Sequence, residues 1–121
     1  MINCLAPVAL GLHLATAHIP QRDFNNINPG IYVRTECNVQ LGAYVNSEAT
    51  LPYRRSPVSF YAMKMFEGER FYAGVGVVTG YAEARVAPMA AVGVKIDKLR
   101  ISFIPQYSKQ SSSAIHFSFE F

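Results

Sequence analysis

Three residues of this chain have side chains suited to nucleophilic chemistry: His13 in "LHLATAH", and Asn46 and Ser47 in "GAYVNSE". An imidazole can take the proton of a serine hydroxyl, and a side-chain amide can hold the ring while it does so. In that arrangement His13 is the base, Ser47 the nucleophile and Asn46 the orienting group, provided that all three converge at one rim of the fold. His18 is an alternative base. The same residues also have a structural reading. His13 stands among Ala and Gly, where a hydrogen-bonded histidine is ordinary, and "NSE" between two strands is an ordinary turn.

Other motifs suggest less chemistry. "NNINPG" at 25–30 reads as a loop whose Asn side chains bond local backbone. "GVGVVTG" at 74–80 looks like a phosphate loop, but no helix follows and no Lys completes the motif, so it reads as a strand with Gly on one face. Tyr53-Arg54-Arg55 is either a clamp for an anionic head group or an exposed loop. Cys4 and Cys37 match neither a metal site nor a redox CxxC pair; they could form one disulfide in an oxidising compartment, with two free thiols as the default expectation. No metal or cofactor site is expected.

The chain of 121 residues, 50% hydrophobic, suits one domain with one core. Eleven Lys and Arg against eight Asp and Glu give +3. The basic residues are scattered singly apart from Arg54-Arg55, so no stripe suggests nucleic acid. The apolar stretch near the start has no Lys or Arg before it and soon meets His13 and His18, so it is read as part of the fold rather than as a signal peptide. No apolar run approaches the roughly 20 residues that a spanning helix needs.

The elements that must position His13, Asn46 and Ser47 are strands. Alternation runs through most of the chain, no 3.6-residue pattern is sustained, and turn residues punctuate it at short intervals. Strands are expected near 8–18, 30–37, 39–46, 56–66, 70–81, 88–95, 98–105 and 113–121, which is enough for a small closed antiparallel up-and-down β-barrel, all-β and single-domain over 1–121. Each strand sorts its residues alike. One face carries Leu10, Leu12 and Leu14, Ile31 and Val33, Val75 and Val77, and Phe117, Phe119 and Phe121; the other carries Gly11, His13 and Ala15, Tyr32 and Arg34, Gly74 and Gly76, and His116, Ser118 and Glu120. A soluble barrel would turn the bulky face inward; an outer-membrane barrel would turn it to lipid. Gly and Ala are poor choices for a solvated face and good ones for a crowded lumen, which favours the polar face inside.

In order along the chain stand "LHLATAH", "FNNINPGIYVR", "GAYVNS", "YAGVGVVTGY", "APMAAVGV" and "ISFIPQYSKQSSSAIHFSFEF". Over roughly residues 10–121 this series resembles the lipid A palmitoyltransferase family of Gram-negative outer membranes, eight-stranded barrels with an acyl-chain-binding interior. The resemblance implies that His13 matches the family's first-strand histidine and Ser47 the serine of its Asp-Ser pair, and that Phe121 matches the final Phe read by the barrel-insertion machinery. Asn46 stands where the family has aspartate. A carboxylate can stabilise an imidazolium, whereas an amide can only hydrogen-bond to it.

Two functions follow as expectations. One is an acyltransferase-like barrel that binds acyl lipid or another hydrophobic ligand, with acyl-transfer or esterase chemistry at His13, Ser47 and Asn46. The other is a non-enzymatic barrel, phage-encoded or virion-associated, with a structural or interaction role. The first places the chain in an outer membrane and the second in solution or a virion.

Overall fold

The computed structural model describes residues 4, 6–19, 27–46, 56–81, 84–105 and 113–121. Alternating, β-branched and aromatic-rich segments form eight strands: β1 (Pro7–Ile19), β2 (Ile27–Thr35), β3 (Val39–Val45), β4 (Val58–Glu67), β5 (Phe71–Tyr81), β6 (Ala84–Ile96), β7 (Leu99–Ile104) and β8 (Ser113–Glu120). Each pairs antiparallel with the next, and β8 returns to pair with β1, closing the barrel. Closure leaves no strand edge unpaired.

Three tight turns lie at one end. Asn38 (φ 59°) turns β2 into β3, residues 68–70 join β4 to β5, and Asp97 (φ 56°) turns β6 into β7. Asn and Asp tolerate this left-handed conformation better than most residues. The connections at the other end run through 20–26, 46–57, 82–83 and 105–112.

Two strands begin earlier than the sequence suggests. Ile27, Asn28 and Pro29, expected in a loop, belong to β2, where Pro29 sits opposite an irregularity in the β1 pairing between His13 and Ala15. A missing N–H is tolerated at such a bulge. β6 likewise starts at Ala84 rather than near 88, with Pro88 facing Val77.

The bulky face points outward. Phe60 is 62% exposed and Phe71 67%, while Tyr32 is 2% exposed and Arg100 3%. Inside, glycines and tyrosines are matched across strands in direct register: Gly11 with Tyr32, Gly42 with Tyr61, and Gly93 with Tyr72. A Cβ at these glycines would lie 2.1, 2.5 and 2.3 Å from the facing ring. The small residues therefore make room in the lumen for a ring from the next strand.

Cys4 and Cys37 are joined in a disulfide, with Cα atoms 4.8 Å apart, which corrects the expectation of free thiols. They are 33 residues apart in sequence. The fold brings them together because Pro7 pairs with Thr35 and the Glu36 N–H donates to the Ala6 carbonyl at 3.0 Å.

Candidate functional site: the barrel lumen

Inward side chains form three polar tiers. The first lies at the short-turn end. Arg100, from β7, grips both carboxylate oxygens of Glu67 at 2.8 and 2.9 Å, and Arg34, from β2, grips those of Glu120 at 2.6 and 3.1 Å. Lys95 adds a third cation 3.0 Å from Glu67. Each guanidinium also reaches the other carboxylate, Arg34 to Glu67 and Arg100 to Glu120, both at 3.5 Å. Three cations from three strands thus close on two carboxylates from two others, and bidentate geometry makes such pairs strong. Arg100 additionally lies 3.9 Å over the Tyr72 ring, whose hydroxyl is bonded to Ser102.

The second tier holds His13. Its Nδ1 is 2.8 Å from His116 Nε2, and its Nε2 is 2.7 Å from the Tyr61 hydroxyl. His116 Nδ1 meets Thr16 Oγ1 at 2.8 Å, and Gln40 Nε2 donates to the Tyr61 oxygen at 2.7 Å. Five buried side chains from four strands therefore form one unbroken chain. Tyr32 packs its ring 5.1 Å from that of His13 and donates its hydroxyl to Glu120, linking this tier to the ion pairs.

The third tier is Asn46, fully buried near the long-loop end. Its Nδ2 donates to the carbonyls of Ser56 and Gly80 at 2.7 and 3.2 Å and to Ser59 Oγ at 3.1 Å. One amide thereby ties the end of β3 to β4 and β5. Gly80, at φ 94°, holds a backbone conformation that other residues resist.

Of the three residues expected to act together, the described residues include only His13 and Asn46. Both ring nitrogens of His13 are taken by His116 and Tyr61, so Asn46 does not hold the imidazole. Ser47 lies outside the described residues, as do Tyr53, Arg54 and Arg55. His18 is half-buried at the far end of β1.

Sequence reasoning missed Thr16, Ser59, Tyr61, Glu67, Tyr72 and Lys95 as members of the lumen. Thr16 points inward because the bulge after His13 shifts the phase of β1; strict alternation puts Ala15 there. Tyr61 and Glu67 lie on β4, where Phe60, Ala62 and Phe66 oppose Tyr61, Met63 and Met65, so both faces look apolar. The alternation Ser59, Tyr61, Met63, Met65, Glu67 was the available signal, since it begins and ends on polar residues.

Among the described residues no three His, Cys, Asp or Glu side chains gather as metal ligands. Comparison of the chain with known protein families, curated proteins and solved structures finds no match.

Proposed function

We propose that the protein is a membrane-spanning β-barrel of the outer-membrane type, seated in the bilayer by its outer wall and closed along its axis by the side chains of its lumen. The observation that carries this reading is the wall. Outward positions on all eight strands are apolar over most of their length: Leu10 and Leu12, Ile31, Leu41, Phe60, Val77, Val92, Phe103 and Phe117 among them. Water on every side of such a surface is costly, at roughly 25 cal/mol per Å² of apolar area. The strands run from 6 to 13 residues, and one of about ten, tilted as barrels of this kind require, rises roughly 25 Å, the height of a lipid-facing band.

Two further observations agree. Short turns at one end and, apart from residues 82–83, longer connections at the other are the usual asymmetry of outer-membrane barrels. The Cys4–Cys37 disulfide suits an oxidising compartment such as the bacterial envelope. The lumen, crossed by bidentate ion pairs and buried tyrosines, argues for an anchored barrel rather than a diffusion pore.

The acyltransferase-like reading places its chemistry on acyl lipid at His13, Asn46 and Ser47. It is the weaker proposal, because His13 uses both ring nitrogens inside the barrel and the Asn46 amide nitrogen is engaged on three oxygens. A virion or interaction module would need a protein partner covering the apolar wall.

The test is solubility and insertion. The purified chain should be monodisperse only in detergent, should float with phospholipid vesicles after detergent removal, and should retain a small dye trapped inside them. A monodisperse protein in detergent-free buffer would contradict the proposal.

A further inference from the structure

We propose that the hydrogen-bonded chain from Tyr61 through His13 and His116 to Thr16 is a proton relay, and that the barrel passes protons while excluding ions and solutes. The proposal rests on the membrane-spanning reading. It begins from what a packed lumen permits: an ion needs an open bore, whereas a proton needs only groups that accept on one side and donate on the other. Imidazoles and hydroxyls do both.

The direction of the chain follows from its ends. Gln40 Nε2 can only donate, so the Tyr61 oxygen accepts from it. Tyr61 has His13 as its other partner, so its own hydrogen goes to His13 Nε2. His13 then carries its proton on Nδ1 and donates to His116 Nε2, and His116 donates from Nδ1 to Thr16 Oγ1. The Thr16 hydroxyl hydrogen is left to donate toward the long-loop end, where half-buried His18 follows on the same strand.

A proton reaching the Tyr61 oxygen displaces that residue's own hydroxyl proton to His13 Nε2. His13 gives its Nδ1 proton to His116 Nε2, His116 gives its Nδ1 proton to Thr16, and the Thr16 hydroxyl proton leaves. Each transfer breaks one O–H or N–H bond and makes one, and nothing is oxidised or reduced. The rings finish as the opposite tautomers, and their reorientation readies the chain again.

An independent observation marks the start of the relay. Gln40 Oε1 is buried with no hydrogen-bond partner, on the amide whose nitrogen touches Tyr61. A buried carbonyl oxygen in a polar lumen calls for a donor, and a single water is the smallest that fits. Tyr32, packed against His13, donates to the carboxylate of Glu120 and so connects the chain to the ion pairs at the short-turn end. Ionisable side chains inside a membrane domain are often proton pathways when they are linked in this way.

The experiment reconstitutes the full chain into vesicles holding a pH-sensitive dye, with valinomycin and potassium to balance charge. Flotation and circular dichroism confirm insertion and fold in the same samples. The relay predicts acidification faster than in protein-free vesicles, with no added leak of chloride or trapped dye. His116→Gln and Tyr61→Phe should both lose the excess rate while remaining inserted and β-folded. Inserted wild-type protein with no excess proton flux, or variants that match the wild-type rate, would overturn the relay and leave the membrane reading standing. Failure to float would overturn both.

Discussion

The outer wall and the lumen are built from alternate residues of the same strands, yet they obey different rules. On the wall, neighbouring side chains such as Leu10, Leu12, Val75 and Val77 have one requirement in common, which is to be apolar. In the lumen, nearly every inward group depends on a particular partner. Tyr61 needs the space above Gly42 and the bonds to His13 and Gln40; Glu67 needs Arg100 and Lys95. A non-directional surface tolerates exchange of like for like, whereas a satisfied polar network does not. The barrel's stability against its alternatives therefore resides mainly inside.

Substitutions can break or sharpen this contrast. The largest loss is expected from Glu67→Ala, which leaves Arg100 and Lys95 in the lumen with only Glu120 near the first; removing one partner of a shielded pair costs about 3–5 kcal/mol. Equilibrium unfolding in urea from a lipid-reconstituted state reads it directly. A loss under a third of that size would mean that water already fills this end of the bore.

Asn46→Asp should be next, costing about 1–3 kcal/mol, because it replaces a donor that faces three oxygens with an acceptor. The acyltransferase-like reading expects the opposite: a restored carboxylate and faster turnover of an acyl ester. Measuring stability and esterase rate on the same variant separates the two.

Gly42→Ala should cost roughly 1–3 kcal/mol by pushing the Tyr61 ring off its contacts. If the clash is the cause, Gly42→Ala should cost much less in a Tyr61→Leu background, and a double-mutant cycle measures that coupling. On the wall, Leu12→Ile should change stability by less than about 0.5 kcal/mol in the same assay. A wall exchange as damaging as the lumen variants would erase the distinction.

Much of this arrangement was legible in the sequence. Alternation gave eight strands, their order and the sorting of β1, β2, β5 and β8 into two faces, because side-chain period follows directly from strand geometry. It did not say which face is inside, since the pattern is the same in both orientations; the Gly and Ala residues of the polar face tipped the choice, and the cross-strand Gly–Tyr matches explain why. Thr16 was hidden by a bulge, Tyr61 and Glu67 by a strand apolar on both faces, and the disulfide by the distance in sequence between two residues that only the pairing of β1 with β2 brings together. The partners of His13 were hidden as well. His116 was correctly placed on the polar face, but which inward residues meet across a barrel depends on stagger between strands, and no local pattern encodes it.

The most direct test of the account places a fluorescent probe on each face. The chain contains no tryptophan, so a single introduced one reports alone. Phe60 and Tyr61 are adjacent in β4 and point to opposite sides of the wall, one 62% exposed and the other 6%. Phe60→Trp in vesicles with bromine-labelled acyl chains should be strongly quenched; Tyr61→Trp, with folding confirmed by circular dichroism, should not. Quenching at 61 but not at 60 would turn the barrel inside out, and quenching at neither would remove it from the membrane.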